Sequence, residues 1–214
     1  MTPAKPLSEK VRRGEPVPIA LAAVLRACTP VTRLGMWWRL RQPVTRVDAQ
    51  VVSFGNLTAG GTGKTPAVIE RARKELAEGN RVAVLTRGYG SPDSTTPVDS
   101  ESIDEKDRYR LLGDEAALIL KKAPGVIVIK DPDRVAGART AIAKHHCEVL
   151  LLDDGFQYTR LARDENVLLI DAVNPFGNGA LLPRGILREP IAAMARATQI
   201  VLTRCDQAAE IDTL

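Results

Sequence analysis

The chain has 214 residues, 44% hydrophobic and 26% charged, with a formal net charge of +4. That length holds one sizeable α/β domain with a buried core and is marginal for two, and the composition excludes wholesale disorder. Residues 1–50 carry nine Lys/Arg against three Asp/Glu, net +6, while residues 51–214 are net −2. The positive excess therefore belongs to an N-terminal arm, suited to an anionic membrane surface or another polyanion, with a solvated basic tail as the plainer alternative. This arm is all that favours nucleic acid, so no nucleic-acid partner is expected. Cys28, Cys147 and Cys205 show neither zinc spacing nor a disulfide framework, which fits a reducing compartment.

In chain order, residues 1–18 are rich in proline and charge and predict a flexible start, not a signal peptide. The apolar run "VPIALAAVL" is interrupted by Arg26 and Pro30, short of the ~20 residues that a membrane span needs. Residues 19–28 and 31–41 predict two short helices separated by Pro30. The second sets Trp37 and Trp38 among Arg33, Arg39 and Arg41, a pattern suited to a helix lying at a lipid interface. Packing of the tryptophans on the protein's own core is the even alternative. Residues 1–46 thus read as a basic amphipathic helical arm and 47–214 as the core domain.

From residue 50 strand and helix alternate. Strands are predicted at 50–54, 82–86, 126–130, 148–153, 167–171 and 199–203, several of them continuous apolar runs of the kind buried on both faces of a parallel sheet. Helices fit at 64–78, 114–122, 133–146 and 190–197, with His145 and His146 at a helix end. The expected fold class is α/β, an open, mostly parallel sheet with helices on both faces, preceded by the amphipathic arm; the glycine-rich run ending in Gly63-Lys64-Thr65 after its first strand makes it P-loop NTPase-like. Ligands in such folds bind beyond the carboxyl ends of the strands, where the glycine-rich and acidic clusters fall.

The first cluster is "GNLTAGGTGKTP", after strand 50–54. Thr58, Gly60, Gly61, Thr62, Gly63, Lys64 and Thr65 form a candidate phosphate loop. Glycines let backbone N–H groups curl around phosphate oxygens, Lys64 reaches the β- and γ-phosphates, and the Thr65 hydroxyl binds Mg²⁺. Thr58 stands where the general pattern has its first glycine. The second is Asp153-Asp154, closing an apolar strand about ninety residues on, as expected of an acid that organises Mg²⁺. Asp114 and Glu115 open a helix and read either as dipole-compensating caps or as carboxylates for proton acceptance and Mg²⁺. Arg87, Arg184 and Arg188, with Glu189, lie on loops after strands; the arginines either neutralise phosphate or are ordinary solvated side chains.

Together "SFGNLTAGGTGKTP", "LTRGYG", "GDEAALI", "LLLDDGFQYTRLARD" and "GNGALLPRGILREP" resemble, in order and over residues 50–203, the tetraacyldisaccharide 4′-kinase (lipid A 4′-kinase) family. The resemblance implies ATP- and Mg²⁺-dependent phosphorylation of the 4′-hydroxyl of a tetraacyl-disaccharide 1-phosphate, giving lipid IVA and ADP. The family's loops also carry Ser or Thr at the position of Thr58. By motif, Lys64 and Thr65 hold ATP phosphates and Mg²⁺, Glu115 and Asp153 complete the metal surroundings, and Asp114 is the base. Asp154 and Arg188 complete the catalytic environment, and Arg87, Gln157 and Glu189 face the acceptor. The resemblance also implies a cytoplasmic location, peripheral to the inner membrane and contacting it through residues 19–41. Two departures stand out. Tyr158 follows Gln157 where the family usually has His, and the family commonly exceeds 300 residues, with a second lobe whose histidine pairs with the catalytic aspartate. The alternative is therefore a truncated nucleotide-binding lobe with little or no transfer activity. A GTPase-type switch is weaker: "TRCD" is a poor guanine signature, and Asp153-Asp154-Gly155 is one residue short of Asp-x-x-Gly.

Overall fold

A computed structural model describes residues 18–89 and 91–208, so the expected flexible start lies outside the described residues except for Pro18. The chain forms two compact units. The larger comprises Pro43–Gly55 and Gly63–Val167, the smaller Met1–Gln42, Asn56–Thr62 and Leu168–Leu214.

In the larger unit the elements follow as β1 (Gln50–Gly55), α2 (Lys64–Ala77), β2 (Val82–Thr86), β3 (Val98–Asp99), α3 (Glu105–Leu112), α4 (Asp114–Lys122), β4 (Ile127–Lys130), α5 (Arg134–His145) and β5 (Val149–Leu152). β6 (Glu165–Asp171) begins there and runs into the smaller unit, which also holds α1 (Ile19–Leu40) and β7 (Gln199–Thr203). The larger unit's strands lie in the order β3-β4-β2-β5-β1. β1–β5, β2–β5 and β2–β4 pair in parallel, and only the two-residue β3 runs antiparallel, against β4. The expected mostly parallel sheet is what forms.

Strands 50–54, 82–86, 126–130 and 148–153 were legible as apolar runs because they are buried on both faces. Side chains alternate across a strand. Val51, Ala83, Leu85, Ile129, Leu150 and Leu152 pack with Val135, Ala138 and Ala141 of α5. The intervening Val52, Val84, Val128 and Leu151 are equally buried and point the other way, toward the side where Val68, Ile69 and Ala72 of α2 are buried. Asp133 caps α5, its carboxylate accepting from the Val135 N–H at 3.0 Å. At the far end His145 is the last helical residue and His146 the left-handed cap, as expected of a helix end.

Three differences from the sequence reading have physical causes. Residues 19–41 are not two helices but one, α1, with Pro30 inside it. A proline deletes a single N–H bond, and the alanine- and leucine-rich turns before it are strong helix formers. The Thr29 hydroxyl also donates to the Leu25 carbonyl at 3.2 Å, and the Thr32 hydroxyl to the Leu182 carbonyl at 2.8 Å. The helix expected at 190–197 is a 3₁₀ segment, Ile191–Arg196, with no buried residue. Helix α3 and strand β3 were missed. α3 buries only Leu112 and so shows no apolar stripe, and β3 is too short to show alternation.

Arg71 on α2 fastens the beginning of β6. It donates to Glu165 at 2.8 and 2.9 Å and to the buried Glu75 at 2.6 Å, and these pairings hold the Glu165 carboxyl below its ordinary range. Arg71→Met leaves Glu75 and Glu165 without their cation. A loss of about 2–4 kcal/mol is expected in urea denaturation, the larger unit being only partly open to water at this point; unchanged stability would show that the network is not structural.

Candidate active site

The phosphate loop joins β1 to α2. Within the smaller unit, Thr58 is buried, bridges to Leu187 and accepts at its carbonyl from the Asn56 amide at 2.7 Å. The Ala59 N–H donates to the Ile186 carbonyl and the Arg188 N–H to the Leu57 carbonyl, each at 2.7 Å. The threonine in place of glycine is thus a wall of the loop, tied by backbone bonds to the "GILR" segment. Thr62 Oγ1 is buried and has no hydrogen-bond partner among the described residues. Gly63 closes the loop as the N-cap of α2, in a left-handed conformation (φ 76°) that glycine adopts without strain. Lys64 and Thr65 are therefore the first two residues of α2, where the helix N-terminus favours anions.

In the larger unit the acids assemble around Lys64. Its ammonium lies 3.5 Å from Asp154 Oδ1. Asp154 itself has a left-handed backbone (φ 53°), which Asp tolerates better than most residues and which marks a site under constraint. Beside it Asp153 is 3% exposed, its N–H donating to the Leu85 carbonyl at 3.1 Å. Asp153 Oδ1 finds no hydrogen-bond partner among the described residues. Burial, then the negative charges of Glu115 and Asp154, push the Asp153 carboxyl up to about 7, with Lys64 and Arg134 pulling the other way. These groups act on one another, so Lys64, Glu115, Asp153 and Asp154 form one electrostatic cluster. Asp114 and Glu115 are exposed at the start of α4, and Tyr109 makes a side-chain hydrogen bond to Asp114 that raises its phenol above its ordinary value.

Arg134 is the member that the sequence reading missed. It is 5% exposed at the start of α5, with its guanidinium 5.3 Å from the Tyr158 ring centroid and its Nη1 donating to the Pro132 carbonyl at 3.1 Å. Burial and the neighbouring Arg87 lower its pKa, while Asp153 and Asp154 oppose that shift. An arginine opening a helix works against the helix dipole, and that was the available hint. Tyr158, at the position where His was expected, donates its hydroxyl to Asp133 Oδ1 at 2.7 Å and accepts from the Val135 N–H at 3.4 Å. It packs under Arg134 and anchors the start of α5.

The remaining candidates are dispersed. Arg87 is exposed directly after β2, and Gln157 is half-buried after β5. In the smaller unit Arg188 is half-buried, while Glu189 is 2% exposed and ion-paired with Arg196. Glu189 therefore holds the 3₁₀ segment as its first engagement. Neither histidine approaches the acids through a described contact: His145 Nε2 lies 2.7 Å from Asp99 Oδ2, where Lys144 also binds at 2.6 Å. No cluster of three or more His, Cys, Asp or Glu at metal-binding range occurs among the described residues. A Mg²⁺ held by one or two carboxylates together with substrate phosphates needs none.

Residues 19–213 match the sequence model of the family described as "Tetraacyldisaccharide-1-P 4'-kinase" (LpxK). A protein of Anaeromyxobacter dehalogenans (strain 2CP-C) named tetraacyldisaccharide 4′-kinase is 43% identical over 90% of this chain and 51% of its own. A Pelobacter propionicus protein of the same name is 47% identical over 77% of this chain and 46% of its own. The chain thus spans about half the length of the curated relatives it matches. Among solved structures, the "apo" form of LpxK from Aquifex aeolicus in complex with ATP superposes with a TM-score of 0.72 at 32% identity, over 87% of this chain and 60% of that one. With a phosphate loop, an acid cluster around its lysine and a family match across nearly all of its length, the chain belongs to the tetraacyldisaccharide 4′-kinase family.

Proposed function

We propose that this chain carries the nucleotide-binding and phosphoryl-transfer lobe of an ATP-dependent lipid kinase, acting on the 4′-hydroxyl of a tetraacyl-disaccharide 1-phosphate to give lipid IVA and ADP. The observation that carries the reading is the buried Asp153 beside the Lys64–Asp154 pair. A buried carboxylate oxygen without a hydrogen-bond partner suits a hard cation, and Thr65 and Glu115 add oxygen donors. These residues fit Mg²⁺, which when bound would neutralise phosphate charge.

Lys64 and the N–H groups of the Thr58–Thr65 loop hold the phosphates of ATP, with Arg134 adding positive charge on the side of Asp153. Asp114, exposed at the start of α4, accepts the proton of the attacking hydroxyl. Asp154 keeps the Lys64 ammonium aimed, and Arg87, Gln157 and Arg188 serve the phosphate and acceptor surroundings. Glu189 serves from behind, through Arg196. Positioning and electrostatics supply most of the catalysis in phosphoryl transfer, so small displacements of these groups are costly.

A second reading has its own support. The chain's two histidines lie at the end of α5, one bound to Asp99, so neither is placed to orient Asp114. On this reading the chain binds nucleotide and transfers little or no phosphate. The deciding assay is transfer of labelled γ-phosphate from Mg-ATP to detergent-solubilised disaccharide 1-phosphate. Transfer is expected to fall at least about 100-fold in Asp114→Ala with ATP binding retained. No transfer by the parent chain, with ATP binding abolished in Lys64→Ala, would establish the second reading.

The substrate's lipid character gives α1 a role in peripheral contact with the cytoplasmic face of the inner membrane. No helix among the described residues is long and apolar enough to cross a membrane. Yet Val31, Leu34, Trp37, Trp38 and Leu40 are 47–73% exposed, and Arg41 lies 3.8 Å from the Trp37 ring centroid. Both tryptophans of the chain are on this helix, so its tryptophan fluorescence, excited apart from the tyrosines, reports on the arm alone. A blue shift on adding anionic vesicles is expected, and an unchanged spectrum would remove the membrane role.

The Asp153 carboxyl also predicts a pH dependence of the free protein. Its native value, about 7, lies above the ordinary value of 3.8, so the native state holds the proton more tightly. The stability it contributes is complete below about pH 4 and is lost as pH rises through about 7. Asp153→Asn should flatten this decline between about pH 4 and 7 in denaturant titrations; an equally steep decline would place the titrating group elsewhere.

A further inference from the structure

We propose that Lys130 is a positioning residue, a buried clamp that ties the loop after β2, which begins with Arg87, to the turn that presents Asp114. Asp114's role as base rests on the function proposed above; the clamp itself does not.

Lys130 ends β4 and is 2% exposed, one of the largest fully buried side chains among the described residues. It sits opposite Thr86 of β2 in one direction and Val98 of β3 in the other. Its ammonium donates to the Asp93 and Leu111 carbonyls, each at 2.6 Å. Both acceptors are neutral backbone oxygens. Burying an ammonium is expensive, and burial does lower this group's pKa, so a methionine or leucine would be the cheaper filler. What the charge provides is two short bonds to two separate loops.

Each loop needs one. Leu111 lies in the last turn of α3, which ends at Gly113 (φ 91°), and its carbonyl is one that the helix leaves unpaired. A cation at that end also complements the helix dipole. Gly113 is in turn the N-cap of α4, whose first residue is Asp114, so the Leu111 bond lies three residues from the base. On the other side, the Ser91 hydroxyl bonds to the Gly88 carbonyl at 2.8 Å and to the Asp93 carbonyl at 3.1 Å, folding the loop onto itself. Gly88 is left-handed (φ 74°), and a Cβ there would fall 2.1 Å from Lys130 Cδ. The lysine stem therefore runs directly beneath the residue after Arg87, and its head fastens the far end of the same loop.

The clamp is tested by hydrogen–deuterium exchange on the full chain carrying Lys130→Met, which keeps the stem and removes the donors. Exchange is expected to quicken at least about tenfold in both 91–97 and 108–113, with β1 and α2 unchanged and ATP affinity within about threefold. In the transfer assay kcat should fall about 10–100-fold with little change in the KM for ATP. Faster exchange in only one segment, or equally throughout the core, would overturn the clamp. A parent chain without transfer activity would sink the kinase reading and leave the exchange result to decide the clamp. If Lys130→Met does not fold, Gly88→Ala asks the same question from the other side. The added methyl displaces the Lys130 stem, so exchange should quicken at 108–113, a segment whose only described tie to Gly88 is through Lys130. Unchanged exchange there would overturn the proposal.

Discussion

A carboxylate buried away from water and under the negative charges of Glu115 and Asp154, Asp153 is the constraint around which the larger unit is organised. Its burial would be unsupportable if the charge had to be carried alone, and its elevated pKa records that strain. Lys64 approaches from the start of α2, Arg134 from the start of α5 and Glu115 from the start of α4, so the groups that set the charge balance open three different helices. With two cations near three carboxylates, the pocket has an electrostatic deficit that a divalent cation and its phosphates would change in opposite senses. The cluster reads as prepared for a ligand whose positive part meets Asp153 and whose negative part meets Lys64 and Arg134.

The sheet makes this convergence possible. β1, β2, β4 and β5 run in parallel, so their carboxyl ends release the phosphate loop, the Arg87 loop, the Asp131–Arg134 segment and the Asp153-Asp154 turn on the same side. The β1–β5, β2–β5 and β2–β4 pairings each run over four residues, which fixes the ends of those four strands relative to one another. Local anchors then refine the exits. The Asp153 N–H is bound to Leu85 of β2, Tyr158 is bound to the cap of α5, and Lys130 joins two loops through backbone carbonyls.

Sequence made the sheet legible because runs such as "VAVL" and "VLLL" are apolar without interruption, and it made the phosphate loop legible because Gly63-Lys64-Thr65 follows the first strand. It also placed Asp114, Glu115, Asp153 and Asp154 at element ends, which is where they are. α1 was misread because Pro30 is a strong local signal that one lost hydrogen bond does not enforce in a helix of 22 residues. α3 escaped because "EKDRYRLL" buries only Leu112 and shows no apolar stripe. Arg134 and Lys130 escaped for a deeper reason: a lone basic residue at the end of a strand or just after it looks like any surface cation, and only packing shows that it is buried. Glu189 shows the converse, a carboxylate in a family-like motif that folding commits to Arg196.

The most direct test of this account is the proton balance of nucleotide binding. Calorimetric titration of Mg-ATP near pH 7, in two buffers of different ionisation heat, gives the number of protons exchanged. If Asp153 is the carboxylate reserved for the cation, the parent chain must release more protons than Asp153→Asn under the same conditions. Equal proton release by the two, with Mg-ATP affinity undiminished in the variant, would contradict it.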